Sequence, residues 1–200
     1  MHIKNLLIEG KRVRIRLPFA RFVKVRSPIL FPSGRGFDKS AVYNPAVIYD
    51  GGIFYKINEK YWMYFGESNI WIATSEDLID WSASKKDIIL RPRRNRFDSR
   101  LVEPGSPSIV TDDYILLIYN SANYDFTYHV AWAAFSKDDP TKLIARAETP
   151  LLSPEFKWEL EGQVDNVWFA EGLVYLDDIW YLYFGGTEHI LDLQKLKLRH

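Results

Sequence analysis

Cysteine is absent from the 200 residues, which excludes disulfide stapling, thiolate catalysis and cysteine-ligated metal. Net charge is absent too, because 26 basic and 26 acidic residues cancel. Nucleic-acid binding draws on a basic excess, so no nucleic-acid partner is expected. No stretch approaches the roughly 20 apolar residues of a membrane span. Residues 1–19 also lack the apolar run of a signal peptide, so the expectation is a cytoplasmic chain without membrane contact. The four histidines, at 2, 129, 189 and 200, show no paired spacing such as His-Glu-x-x-His. Neither a Gly-x-Ser-x-Gly elbow nor a phosphate-binding glycine loop occurs, and no metal or organic cofactor is expected.

Long helical periodicity is scarce as well. Short apolar runs broken by turn residues take its place, and these read as strands. Hydrophobic residues make up 47% of the chain and aromatics 16%, with Trp 7, Tyr 12 and Phe 12. This composition suits packed β-structure, with most aromatics in the core and any exposed ones able to stack on sugar rings.

Three segments resemble one another: Tyr61-Trp62-Met63-Tyr64-Phe65-Gly66, Ile115-Leu116-Leu117-Ile118-Tyr119-Asn120 and Trp180-Tyr181-Leu182-Tyr183-Phe184-Gly185. Each follows a polar turn: Asn58-Glu59-Lys60, Thr111-Asp112-Asp113 or Leu176-Asp177-Asp178. After the first two comes another apolar strand, around Ile70–Thr74 and His129–Ala133, and then a Ser-x-Asp turn. A strand–turn–strand unit recurring at an interval of about 60 residues predicts propeller blades. In the N-terminal segment Arg12, Arg14 and Arg16 alternate with Val13, Ile15 and Leu17, which predicts a strand with one solvated basic face. One domain over residues 1–200 is expected, with a basic N-terminal segment at 1–27, a main region at 28–189 and an atypical alternating tail at 190–200.

Four polar spots interrupt the apolar pattern: Tyr43-Asn44-Pro45-Ala46, Phe97-Asp98-Ser99-Arg100-Leu101-Val102-Glu103-Pro104-Gly105, Asp165-Asn166-Val167 and Thr187-Glu188-His189. In a propeller, the starts of the inner strands and their loops converge, so residues distant in sequence can share one concave site. Glycoside cleavage needs carboxyl groups to move protons. Glu103, beside a rigid Pro-Gly turn, is the candidate catalytic residue. Within these spots Asn44, Asp98, Asn166, Glu188 and His189 are candidate substrate-binding residues.

Taken in order, several stretches resemble glycoside hydrolase family 130. They are Pro32-Ser33-Gly34 through Ala46, Lys56 to Tyr64, Ala73 to Trp81, Phe97 to Pro107, Ile115 to Asn120, Asp138 to Lys142 and Gly162 to Val167. The resemblance implies a five-bladed all-β propeller acting on β-mannosides as an inverting hydrolase or phosphorylase. The Phe-Asp-Ser-x-Leu-Val-Glu-Pro-Gly form resembles the hydrolase branch, with Glu103 as the water-activating base. The resemblance also implies that Asn44, Asn120 and Asn166 contact sugar or shape the site, and it adds Asn120 and Glu67 to the substrate-binding candidates, with Glu67 and Glu188 standing where similar proteins have Asp. The family's Glu-Asp-Pro-Arg motif, whose Asp is the proton donor of the phosphorylases, occurs nowhere in the sequence. The expectation is therefore an incomplete propeller of three to four blades, and a β-mannosidase impaired by loss of the acid-bearing blades. The alternatives are a β-mannoside phosphorylase, with inorganic phosphate as co-substrate, and a non-catalytic carbohydrate-binding propeller. The partner is an oligosaccharide, and open sheet edges would favour a homo-oligomer.

Overall fold

The computed structural model describes residues 2–8, 11–17, 23–24, 56–77, 82–162, 164–187 and 190–197. In chain order the strands are β1 (His2–Ile8), β2 (Lys11–Leu17), β3 (Val23–Lys24), β4 (Tyr61–Phe65), β5 (Ile70–Ser75), β6 (Ser82–Leu90) and β7 (Leu101–Pro104). They continue with β8 (Ile109–Val110), β9 (Tyr114–Ala122), β10 (Tyr128–Ser136), β11 (Leu143–Arg146), β12 (Trp168–Leu176), β13 (Ile179–Gly186) and β14 (Ile190–Lys197). A single-turn helix, α1 (Lys157–Leu160), lies between β11 and β12. The chain is thus all-β, and it is built from repeated antiparallel sheets.

Three sheets have the form of blades. Their orders are β4-β5-β6, β7-β9-β10-β11 and β12-β13-β14-β3. The three look-alike segments of the sequence lie in β4, β9 and β13, each the partner of its successor in a hairpin. The continuous apolar character of the second segment has a packing cause. All nine residues of β9 are buried, and so are seven of nine in β10. A blade between two others is covered on both faces, so its middle strands lose the usual polar alternation. The turns also follow their residue types. Asn58 and Glu59, and likewise Asp177 and Asp178, adopt left-handed φ values of 53°, 63°, 50° and 59°, as two-residue hairpin loops require. Ser75 Oγ accepts the Asp77 N–H, and Ser136 Oγ accepts those of Asp138 and Asp139, so the Ser-x-Asp turn is made twice in the same way.

Aromatics bind one blade to the next. Tyr64 stacks on Phe135 at 4.9 Å between ring centroids, and its hydroxyl donates to Pro140 O at 3.0 Å. Within the third blade Trp168 stacks on Phe184. Trp132, Trp168, Tyr119, Phe135 and Phe184 are among the largest fully buried side chains, as the composition leads one to expect. The N-terminal basic segment forms the hairpin β1–β2, in register from His2↔Leu17 to Ile8↔Lys11. All eight residues of β14 pair with β13, and β3 pairs with β14 in turn.

Candidate functional site

The inner edge of the second blade carries Glu103. Its strand β7 pairs with β9 from Leu101↔Ala122 to Pro104↔Tyr119, which sets Glu103 opposite Asn120. Proline is tolerated at position 104 because β7 is an edge strand. The edge breaks at Gly105 and resumes as β8, which pairs with the far half of β9. Gly105 is required by close approach: a Cβ there would lie 2.9 Å from Ile118 O and 3.2 Å from Ala170 O. The Glu-Pro-Gly sequence therefore ends a strand where the next blade presses against it.

Asn120 makes that junction. It is fully buried, and its amide grips one residue of the third blade from both sides. Oδ1 accepts the Ala170 N–H at 2.7 Å, and Nδ2 donates to the Ala170 carbonyl at 3.1 Å. Immediately after Ala170 the β12–β13 register slips, so that Ala170 faces Phe184 while Gly172 faces Tyr183. The extra residue in this β-bulge is Glu171. A bulge re-aims a side chain out of the regular alternation, and here it brings Glu171 within electrostatic reach of Glu103.

Three carboxylates result. Burial raises the Glu103 pKa above the usual carboxylate value, the Glu67 charge raises it further, and Arg100 opposes the shift. Burial also raises the Glu171 pKa, and Glu103 adds to the effect. Like charges in a half-buried site resist simultaneous ionisation, and groups perturbed in this way mark candidate functional sites. Glu67 is exposed and follows β4 in the hairpin tip 66–69. That tip reaches β7, where the Val102 N–H donates to Ser68 O at 3.4 Å.

The other candidates divide. Asn166 joins the same end of the blades through its backbone, which accepts the Tyr128 N–H at 2.8 Å and adopts φ 60°. Asp98 was expected to face substrate, but it is 0% exposed. Arg93 Nε reaches both its oxygens at 3.1 Å, Arg146 contacts Oδ2 at 2.6 Å and the Tyr119 hydroxyl donates to Oδ2 at 2.9 Å. Its carboxylate is consumed in tying the loop before β7 to β9 and β11. Asp98→Ala would strand the Arg93 and Arg146 charges, with an expected loss of about 3–5 kcal/mol in stability. Guanidinium unfolding would show this as a lower midpoint at unchanged slope. Asn44, Glu188 and His189 lie outside the described residues. Glu171 was missed in the sequence, although a Glu-Gly pair inside the strand pattern of residues 168–176 is a recognisable bulge signal.

Among the described residues no group of three or more His, Cys, Asp or Glu side chains is arranged to hold a metal ion, and no helix is long and apolar enough to cross a membrane. A cavity of about 320 Å³ is lined by Lys60, Thr74, Ser75, Glu76, Asp77 and Ser82. These residues lie at the start of β4, the end of β5 and the start of β6, at the opposite end of the β4–β5 hairpin from Glu67.

Comparison with known proteins agrees with this architecture. A 1,2-β-oligomannan phosphorylase of Thermoanaerobacter sp. (strain X514) is 39% identical over 145 residues, which cover 72% of this chain and 48% of that protein. A solved structure from Bacteroides thetaiotaomicron VPI-5482 superposes with TM-score 0.71 at 37% identity, covering 74% of this chain and 47% of that one. Another, from work on mannoside phosphorylases and on glycoside hydrolases that target β-1,2 mannosidic linkages in Candida mannan, has TM-score 0.68 at 36% identity, covering 70% and 44%. The chain spans about half the length of the relatives it matches. The family model described as β-1,4-mannooligosaccharide phosphorylase matches residues 37–200, and with that match the chain belongs to glycoside hydrolase family 130.

Proposed function

We propose that this chain forms part of a β-mannoside phosphorylase acting on oligomannosides. The reading rests on the 39% identity with an oligomannan phosphorylase, together with a family match that includes Glu67, Glu103 and Glu171. It reverses the order of the sequence expectation, which placed the hydrolase first. In phosphorolysis an oxygen of inorganic phosphate bonds to the anomeric carbon and the glycosidic C–O bond breaks. The leaving oxygen takes a proton, and the products are mannose 1-phosphate and a chain shortened by one sugar. Glu103 is assigned the handling of that proton, because its raised pKa keeps the acid form populated nearer neutral pH. Glu171 and Glu67 accept hydrogen bonds from sugar hydroxyls. Phosphate is the only co-substrate in this scheme.

A hydrolase is the second reading, favoured by one observation. The charge of Glu67 raises the pKa of Glu103, and that of Glu103 raises the pKa of Glu171; negative charge gathered in this way disfavours a phosphate dianion and suits the activation of water. Incubation with β-1,2-linked mannooligosaccharides, with and without phosphate, separates the two. Mannose 1-phosphate formed only with phosphate supports the phosphorylase, and free mannose formed without it supports the hydrolase. No product of either kind from folded protein would overturn both.

A further inference from the structure

The tip of the β9–β10 hairpin holds two aromatic side chains in solvent, where they gain little from burial. Tyr124 is 72% exposed and Phe126 58%. Phe126 also adopts φ 60°, a left-handed conformation that a bulky residue disfavours. The tip is nonetheless rigidly specified. Asn123 Oδ1 accepts the N–H groups of Asp125 and Thr127, both at 3.0 Å. The Asn123 carbonyl accepts the Phe126 N–H at 3.1 Å, and the Asn123 N–H donates to Thr127 O at 3.2 Å. A strained, exposed and fixed aromatic is a feature that functional sites retain and stability alone does not explain.

Its position connects it to the carboxylates. The Arg100 guanidinium carbon lies 4.3 Å from the Phe126 ring centroid, and the Arg100 N–H donates to Ala122 O at 2.9 Å. Arg100 immediately precedes β7 and is three residues from Glu103, a separation of about 10 Å at the rise of an extended chain. One face of the Phe126 ring is thus covered by a cation with several N–H donors, and the ring remains more than half exposed. A pyranose presents an apolar C–H face and a rim of hydroxyls, which matches an aromatic plane beside a guanidinium. The patch is one ring wide, far below the area of a protein–protein interface.

We propose that Phe126, backed by Arg100, is a distal subsite that stacks a further sugar of a β-mannoside chain already seated at Glu103, so that chains longer than the disaccharide bind more tightly. The subsite rests on the mannoside reading of the Glu103 site. Calorimetric titration with β-1,2-linked mannobiose, mannotriose and mannotetraose tests it. In the native protein, affinity rises about five- to tenfold on passing from the disaccharide to the longer chains, the worth of one aromatic contact. Phe126→Gly, which keeps the left-handed turn without strain, abolishes the gain and leaves mannobiose affinity unchanged. Phe126→Trp preserves the gain. Equal affinity for all three lengths in the native protein overturns the subsite, as does a Phe126→Gly variant that weakens mannobiose as much as the longer chains. Failure of folded native protein to bind even mannobiose overturns the mannoside reading itself, and the subsite with it.

Discussion

Glu103→Gln is expected to lower mannoside turnover by about 10²–10⁴-fold, the contribution of one positioned proton-transfer group, while leaving the melting temperature at neutral pH unchanged or higher. The two halves share a cause. Burial and the neighbouring Glu67 make the ionised form of Glu103 costly in the folded protein. A carboxyl whose folded pKa is raised stabilises the fold below its unfolded pKa and loses that contribution as pH rises through the folded value. Glutamine is neutral at every pH and nearly isosteric, so it removes the cost and the chemistry together. The pH profile gives a sharper check. If Glu103 acts as the acid of phosphorolysis, activity falls as pH rises through its raised pKa. Glu67→Gln removes one raising charge, so that falling limb moves to lower pH. If Glu103 instead acts as the base of hydrolysis, the limb has the opposite slope and still moves to lower pH. Because Glu103 also raises the pKa of Glu171, the observed values belong to the coupled pair. A limb unmoved by Glu67→Gln would remove Glu67 from the site.

Local chemistry made the repeats legible. Asn58-Glu59 and Asp177-Asp178 could be read as turns because few residues accept two consecutive left-handed conformations. β9 could be read as a strand from its unbroken apolar run, Tyr114 to Tyr119, which burial on both faces explains. What escaped the sequence depends on partners far along the chain. Asp98 sits in the same polar spot as Glu103, and nothing local reveals that Arg146 and Tyr119 hold its carboxylate. The tail after residue 190 alternates polar and apolar residues, as is ordinary for a strand, and β14 pairs throughout. Its second partner, β3, comes from the opposite end of the sequence, and no periodicity predicts such a pairing. Glu171 escaped for the same reason: its aim is set by a side chain fifty residues earlier.

That dependence makes Asn120→Ala the second large effect. The substitution removes one buried amide and leaves both the N–H and the carbonyl of Ala170 without their partner between blades. Each buried unsatisfied group costs about 1–3 kcal/mol, so a loss of about 2–6 kcal/mol is expected in denaturant unfolding. The functional loss should exceed what unfolding explains. With Ala170 released, the bulge no longer fixes Glu171, and a misplaced group costs rate even in molecules that remain folded. Asn120→Asp separates the two effects. Its carboxylate still accepts the Ala170 N–H, but its other oxygen now meets the Ala170 carbonyl in place of a donor, so the grip is held from one side only. Measured well below the unfolding transition, activity is expected to be highest in the native protein, lower in Asn120→Asp and lowest in Asn120→Ala. The pH limb of the coupled Glu103–Glu171 pair should move to lower pH in the Asn120→Ala variant, because a Glu171 withdrawn from Glu103 loses the charge that helps raise its pKa. A structural role confined to blade packing would lower stability and leave that limb in place, and such a result would detach Asn120 from the chemistry.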